Sequence, residues 1–380
     1  MKNLISEVFS NPETINHFQL NDWDLLVRQA RNSDLAGKLF VLLRDNSLLS
    51  ETPKQALPHL TSAHVHTQRH GELVKYEIHQ LYNELSELDT PIILLKGAAY
   101  VAANLPSAEG RFFSDIDIMV HKSRVAMAED ALQHKGWRGS DVDDYDEKYY
   151  RTWMHEIPPM QHSKRGTTLD LHHTIIPETA RYRPDANKLF KAAIPVDGYE
   201  NLYTLCPEDM VLHSATHLFS EGEFELSLRD LIDIDALLRL FPTQNQQFWQ
   251  RLIGRARNLD LKQPLHYALR YCRELLNTPI PDQAYDEARN QAATEGPSQA
   301  LTHFLLERGL RPNHSSCHSS LHGLWLWMLY VRSHYLRMPF KLLIPHLLHK
   351  ALITPYEEHK RDREAAKHQD IHTLLALRNR

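Results

Sequence analysis

The sequence predicts an α+β fold in which a mixed sheet core lies between two helical regions. Apolar residues early in the chain recur at three- and four-residue spacings, which is the periodicity of an amphipathic helix. From about residue 89 the pattern changes to short apolar or alternating runs, which are typical of strands. Helical periodicity returns beyond about residue 207. We therefore expect a helical lead-in over 1–88, the sheet core over 89–200 and a helical C-terminal domain over 201–380.

The composition indicates a globular protein without a strong electrostatic field. With 380 residues, of which 42% are hydrophobic, the chain can bury sizeable cores and fold without disulfide bonds or other cross-links. Its formal net charge of -5 provides no basic field for a phosphate backbone, so we expect no long nucleic-acid partner. Three scattered cysteines favour a reducing compartment. Because no signal peptide or membrane span is apparent, we predict a cytoplasmic protein.

Four elements of the predicted core follow one another. The apolar run Pro91–Leu95 predicts a strand buried on both faces, and residues 98–105 suit a short helix. Residues 115–120 alternate with a period of two and predict a second strand. Ser123 is expected to cap a helix that runs to Lys135. Further on, a hairpin is expected around the turn at 163–166, with arms over 153–162 and 167–175.

Three aspartates in this core carry the chemistry that the sequence predicts. Asp115 and Asp117 alternate on one strand, so both point to the same face and can hold a hard cation such as Mg²⁺ or Mn²⁺. Asp170, on a later strand, is the candidate for a second metal ligand and for the base that accepts a hydroxyl proton. The same acidic spacing recurs elsewhere, but only this pair lies on a predicted strand; the other pairs are Asp141/Asp143, Asp144/Asp146 and Asp233/Asp235.

Five other residues are candidates for nucleotide binding. Gly97, where a strand meets a helix, lets a phosphate approach the backbone, and Lys96 would neutralise its charge. Arg111 and Ser114 precede the paired aspartates and offer a forked cationic donor and a hydroxyl. His172 shares a strand face with Asp170. The alternative for Lys96 and Gly97 is a strand end at which the glycine opens a turn and the lysine is solvated.

These motifs resemble the polymerase-beta nucleotidyltransferase superfamily. Over about residues 90–176 they look like a bacterial family of uncharacterised nucleotidyltransferases; the stretches that carry this resemblance are Leu94-Leu-Lys-Gly-Ala98, Arg111-Phe-Phe-Ser-Asp-Ile-Asp-Ile-Met-Val120 and Leu169-Asp-Leu-His172. A looser likeness extends to His213, His217 and residues 229–233. Many superfamily members place a Gly-Ser pair at the turn, whereas Lys96-Gly97-Ala98 has no hydroxyl beside its glycine.

The resemblance implies a nucleotidyltransferase-like fold, a metal triad formed by Asp115, Asp117 and Asp170, and a phosphate-binding turn at Lys96-Gly97. The predicted enzyme moves a nucleoside monophosphate from a nucleoside triphosphate to an acceptor hydroxyl and releases pyrophosphate. The sequence does not identify the acceptor, for which a small molecule, a sugar and a protein are the alternatives. Two alternatives stay open as well. One is a glycosyltransferase that grips a sugar nucleotide through a single ion, and the other is a non-catalytic scaffold of the same fold.

A basic, amphipathic stretch over residues 324–350 is the last candidate feature. Its cations, Arg332, Arg337, Lys341 and Lys350, have no acidic residue between them and alternate with aromatic and aliphatic side chains. This composition predicts either peripheral docking on a membrane or protein partner, or a helix pair packed into the C-terminal region with its basic side chains in solvent.

Overall fold

The structure, a computed structural model, describes residues 2–140, 144–292 and 296–348. Helices dominate the chain before the sheet, and they are α1 (Leu4–Ser10), α2 (Leu20–Asn32), α3 (Ala36–Asp45) and α4 (Leu57–Leu85). The C-terminal region is also helical; its elements are α9 (Pro207–Ser220), α10 (Ser227–Gln244), α11 (Phe248–Asn258), α12 (Lys262–Leu276), α13 (Asp282–Gln291), α14 (Pro297–Gly309), α15 (His322–Arg337) and α16 (Phe340–Leu348).

Strands and short helices alternate in the middle region. The strands are β1 (Ile92–Leu94), β2 (Asp115–Met119), β3 (Trp137–Gly139), β4 (Met160–His162), β5 (Thr168–His172), β6 (Ile194–Pro195) and β7 (Leu202–Thr204). The helices between them are α5 (Lys96–Ala102), α6 (Val125–His134), α7 (Asp144–Trp153) and α8 (Ala186–Ala192).

The strands of the described residues form one mixed sheet in the order β3-β4-β5-β2-β1-β7-β6. Strand β2 lies inside this sheet, antiparallel to β1 and parallel to β5. The β2–β5 register places Asp117 opposite Asp170. The α+β class and the mixed sheet between helical regions are confirmed.

Several predicted boundaries are wrong in detail. The helix expected from Ser123 begins at Val125, because residues 122–124 form a 3₁₀ turn before it. The helix expected from residue 98 begins at Lys96. The hairpin is present but its arms are only β4 and β5, since α7 ends at Trp153, where the first arm was expected to begin. The edge strands β3 and β6, and strand β7 between β1 and β6, were not predicted, because two or three residues are too few to show an alternating pattern.

One hydrophobic core runs through all three regions. Leu4 in the first helix, Ile118 in the central strand and Leu329 in α15 belong to the same cluster of buried residues. The division at residues 88 and 200 therefore stays a prediction, because the core is continuous across both positions.

A buried ion network joins the three regions. Asp233 on α10 is 4% exposed; its Oδ1 lies 3.0 Å from Lys38 Nζ on α3, and its Oδ2 accepts a hydrogen bond of 2.9 Å from Arg111 Nε. Burial alone would raise the pKa of Asp233, but the charges of Lys38 and Arg111 lower it below its ordinary value. The carboxylate is therefore ionised and locked between two cations.

Glycine allows the backbone contact that brings these two cations together. Gly110, next to Arg111, has a φ of +71°, and a Cβ built there would lie 2.6 Å from the carbonyl oxygen of Gly37. Gly37 precedes Lys38 on α3. The loop and the helix can therefore approach only because position 110 has no side chain.

Helices α15 and α16 contain the described part of the basic 324–350 stretch. Leu329 and Leu336 are buried, whereas Trp327, Phe340 and Ile344 are exposed. Arg332 donates through Nη1 to the carbonyl oxygen of Phe219 at 2.8 Å. Lys350 lies outside the described residues, and docking through this stretch stays a prediction. Within residues 2–140, 144–292 and 296–348, no helix has both the length and the apolar character needed to cross a bilayer.

Replacing Asp233 with asparagine should lower the free energy of unfolding by about 3–5 kcal/mol, because Lys38 and Arg111 would be left buried without a full counter-charge. Urea denaturation measures this loss. The matched control is Asp24→Asn, which removes the exposed Asp24–Arg28 pair and should cost at most about 1 kcal/mol. Equal losses in the two variants would contradict a stabilising role for the network.

Candidate functional site

Asp117 and Asp170 lie side by side on neighbouring strands. Their Cα atoms are direct partners in the parallel β2–β5 register, so both side chains point to the same face of the sheet. Ile116 and Ile118 alternate with Asp117 and are buried on the opposite face. One oxygen of each aspartate and one ring nitrogen of His172 all lie within 4.8 Å of one another, so these three residues could hold a metal ion.

One oxygen of the half-buried Asp170 side chain lacks a hydrogen-bond partner among the described residues. Its Oδ1 is shielded from solvent and has no hydrogen-bond partner within the described part of the chain. Burial, together with the negative charges of Asp117 and Glu156, raises the pKa of Asp170 well above its ordinary value. An unsatisfied buried oxygen beside a second carboxylate is what a divalent cation would satisfy, so the residues present fit Mg²⁺ or Mn²⁺.

Two nitrogen donors contact Asp117. Lys96 Nζ and His172 Nε2 each lie 3.0 Å from its Oδ1. Burial alone would raise the pKa of Asp117, but Lys96 and His172 lower it far below its usual range. Burial likewise opposes protonation of His172, yet Glu156 and Asp117 raise its pKa above the ordinary value. Asp117 is therefore ionised and accepts hydrogen bonds from both neighbours.

Asp115 occupies a more open position than the other two acids. It stands opposite Thr168 in the register, and its Oδ1 accepts a hydrogen bond of 3.1 Å from Ser114 Oγ. Burial and the charge of Asp117 raise the pKa of Asp115. Among the residues that the structure describes, Asp115 lies outside the group of Asp117, Asp170 and His172, whose candidate ligand atoms lie within 4.8 Å of one another. The structure thus brings two of the three predicted ligands together and places the third beside them.

The Lys96-Gly97 turn lies directly against this group. Lys96 has a φ of +41°, a conformation that costs a non-glycine residue about 1–3 kcal/mol and recurs at functional sites. Burial would lower its pKa, but Asp117 and Glu221 raise it above the ordinary value, so the ammonium is charged. Gly97 is needed for packing, because a Cβ there would lie 2.2 Å from Cδ1 of the buried Phe113 ring.

Arg111 also reaches the site, but its donors have protein partners. Besides its bond to Asp233, it lies 3.2 Å from Asp230 and 3.6 Å from Asp34, and Nη1 donates to the carbonyl oxygen of Phe112. A phosphate contact from this guanidinium would require one of these interactions to break. The predicted role of Arg111 in nucleotide binding stays a prediction.

A cleft of about 990 Å³ opens above the aspartates. The predicted residues Lys96, Gly97, Arg111, Ser114, Asp115, Asp117 and Asp170 all line it, whereas His172 is 1% exposed and supports Asp117 from below. The opposite wall includes residues 221–226, between α9 and α10, and the exposed Trp327 on α15. The volume of the cleft lies at the upper end of the range for small-molecule sites, about 300–1,000 Å³.

Glu156 is a cleft residue that no sequence pattern singles out. It follows α7 in a loop, where an isolated bridge pairs it with His172, and its Oε2 lies 3.2 Å from His172 Nδ1. Burial raises the pKa of Glu156. No sequence motif surrounds Glu156. Only its position in the sequence, shortly before the strand that bears Asp170, could have indicated a role at the site.

Comparison with known proteins assigns the chain to a family. The model of a family described as uncharacterised nucleotidyltransferase matches residues 19–277, which is more than half of the chain and includes all three aspartates. The chain belongs to this nucleotidyltransferase family. No curated protein matches the sequence. A solved structure, that of an antigenic nucleotidyltransferase-like protein from Paracoccidioides brasiliensis, is 16% identical and covers 54% of this chain and 96% of its own. Its TM-score is 0.28, and so weak a likeness carries no argument about the site.

In this nucleotidyltransferase, Gly97→Ala should lower the free energy of unfolding by about 1–3 kcal/mol, because the new methyl group would overlap the Phe113 ring. The matched control is Gly254→Ala on α11, where the added methyl group would meet no described atom within 4 Å apart from its chain neighbours and the nearby backbone of its own helix, and alanine should stabilise the helix by about 0.5–1 kcal/mol. Thermal or urea unfolding compares the two. A Gly97→Ala protein as stable as wild type would show that the ring can move aside.

Proposed function

We propose that this protein is a metal-dependent nucleotidyltransferase that moves a nucleoside monophosphate from a nucleoside triphosphate to an acceptor hydroxyl. One observation carries the proposal. Asp117 and Asp170 are paired in register at the floor of an open cleft, and a buried oxygen of Asp170 has no hydrogen-bond partner in the described ranges. The family match supports the reaction class, and the acceptor stays open.

Asp117 and Asp170 would hold Mg²⁺ or Mn²⁺, with Asp115 as a further carboxylate at the open side. When bound, such ions supply positive charge to the phosphoryl oxygens and to the leaving pyrophosphate. Oxygen ligands suit both ions. The chain contributes the ionised state of Asp117, which Lys96 and His172 maintain.

Asp170 is the proposed acceptor of the hydroxyl proton. One oxygen of its carboxylate would bind the ion and the other would receive this proton, and its place beside Asp117 would orient the acceptor hydroxyl toward the cleft floor. Once the oxygen is deprotonated it can attack the α-phosphorus in line with the departing pyrophosphate.

Lys96 is the proposed contact for the triphosphate. Its ammonium is charged, lines the cleft and is only 3.0 Å from Asp117, so a small change of rotamer would exchange a carboxylate partner for a phosphate. The Ser114 hydroxyl, which now donates to Asp115, offers a second polar contact. Arg111 is assigned a supporting role, because its ion pairs hold the loop that leads into β2.

Replacing Asp170 with asparagine should lower the rate of nucleotidyl transfer by about 10²–10⁴-fold, because the amide cannot accept the hydroxyl proton. The assay incubates the protein with α-labelled nucleoside triphosphates, Mg²⁺ and cell extract, and measures label transferred to any acceptor. Asp130→Asn on the exposed face of α6 is the matched control and should retain wild-type activity.

The same assay separates the two alternatives. If Asp170→Asn is fully active while Asp117→Asn is inactive, a glycosyltransferase site with a single ion explains the activity better. If wild-type protein binds no nucleoside triphosphate with Mg²⁺ in calorimetry, the fold is a scaffold without catalysis.

Lys96→Gln should shift two affinities in opposite directions. Mg²⁺ alone should bind more tightly than to wild type, because the internal ammonium no longer competes for Asp117 Oδ1. Nucleoside triphosphate should bind about tenfold more weakly, since a charged hydrogen bond to phosphate is lost. Calorimetric titrations measure both. A variant in which both affinities fall together would contradict the proposed exchange of partners.

A further inference from the structure

A second convergent group lies next to the paired aspartates. Atoms of His155, Glu156 and His172 all lie within 4.8 Å of one another. Glu156 Oε2 is 3.2 Å from His172 Nδ1 and 3.8 Å from His155 Nε2. The two imidazoles are 4% and 1% exposed, so water cannot easily satisfy them. This group shares His172 with the site described above but uses its other ring nitrogen.

The orientation of His172 favours a metal ligand. Its Nε2–H donates to Asp117 Oδ1 at 3.0 Å, so Nδ1 faces Glu156. That nitrogen is buried and has no hydrogen-bond partner among the described residues. Glu156 is near it but does not have the geometry of a hydrogen bond. In metal sites a ligating histidine usually binds the ion through one nitrogen and donates the other N–H to a carboxylate. Asp117 supplies that carboxylate here.

The backbone holds the group in place. Residues 155–157 run antiparallel to the end of β5, with an isolated bridge between Glu156 and His172. His173 N donates to the carbonyl oxygen of His155 at 2.8 Å, and Ile157 N donates to that of Leu171 at 3.1 Å. The three side chains are therefore carried by paired backbone on both sides, which is the kind of support that a preformed site requires.

From this geometry we infer a zinc site formed by His155 Nε2, Glu156 Oε2 and His172 Nδ1. With Zn–N and Zn–O bonds of about 2.0–2.1 Å and tetrahedral angles, ligand atoms lie about 3.4 Å apart. The two measured separations, 3.2 and 3.8 Å, bracket that value. Two imidazoles and one carboxylate leave a fourth position open, as in catalytic zinc sites.

The inferred site is chemically distinct from the Mg²⁺ site. Imidazole nitrogen favours Zn²⁺ over Mg²⁺, which prefers oxygen. Because His172 Nε2 keeps its proton for Asp117, the Mg²⁺ site is left with oxygen ligands. The inference therefore does not rest on the proposed transfer reaction, and the two sites are connected through the single His172–Asp117 hydrogen bond.

The test uses the full chain stripped of metal with a chelator and kept in excess Mg²⁺. Zn²⁺ affinity is measured by competition with a chromophoric chelator, and Co²⁺ serves as a spectroscopic probe of a tetrahedral site with nitrogen ligands. Wild type should bind one equivalent of each. His155→Gln and Glu156→Gln should each lower Zn²⁺ affinity by at least about 100-fold and remove the Co²⁺ bands. Groups that only hydrogen-bond to a metal ligand contribute about 10–100-fold to affinity, and a direct ligand should contribute at least as much.

Two controls separate this site from its neighbours. His64→Gln removes another buried histidine whose Nδ1 lacks a hydrogen-bond partner in the described residues, and it should bind Zn²⁺ like wild type. Asp170→Asn, which should strongly slow transfer, should also keep the Co²⁺ bands. Glu156 has the most accessible side chain of the three, 16% exposed, so Glu156→Gln is the variant that should disturb the fold least. An unfolding curve that matches wild type in the presence of chelator would show that this variant is folded.

Three results would overturn the inference. The first is wild-type protein that binds neither Zn²⁺ nor Co²⁺. The second is a folded Glu156→Gln protein whose affinity equals that of His64→Gln. The third is loss of the Co²⁺ bands in Asp170→Asn but not in His155→Gln, which would place the ion at the paired aspartates. Failure of nucleotidyl transfer alone would leave the zinc site standing.

Discussion

The buried negative charge of Asp117 is the constraint around which the middle of this molecule is organised. A carboxylate that is 3% exposed on an interior strand is costly unless cations surround it. Lys96 contacts it from the turn after β1 and His172 contacts it from β5, so three separate stretches of chain must meet at one oxygen atom. The strained backbone at Lys96 is tolerated because this meeting point over-determines the turn. The site and the sheet are therefore stabilised by the same contacts.

A second set of charges connects the helical regions to this sheet. Asp233 on α10 lies between Lys38 of the lead-in and Arg111 of the loop before β2. That loop continues through Phe113, which packs on Gly97, into Asp115 at the start of the strand. Helices from both ends of the chain thus reach within a few residues of the cleft floor. The walls of the cleft and its aspartates are parts of one packed unit, which the continuous core also indicates.

Local patterns were sufficient to predict the strands that carry the aspartates, because a period of two over five residues fixes which side chains share a face. They were also sufficient to predict that Asp170 lies on a strand, since β5 has equal length, whereas its role stays a prediction. They could not predict that Arg111 is held by carboxylates 119 and 122 positions away. Glu156 and His155 were missed because the loop that contains them acquires its partners only when it pairs with β5. Periodicity in the sequence does not predict contacts between segments that are distant along the chain.

The ammonium of Lys96 gives the folded protein an internal counter-ion. Since the charge on Asp117 is already balanced by a protein group, this carboxylate needs no inorganic ion as its counter-charge in the folded chain. Under the proposed function, loading of a divalent ion would exchange one positive charge for another. In the proposed function a polyphosphate would take up the displaced lysine, so the supply of polyphosphate would govern this exchange.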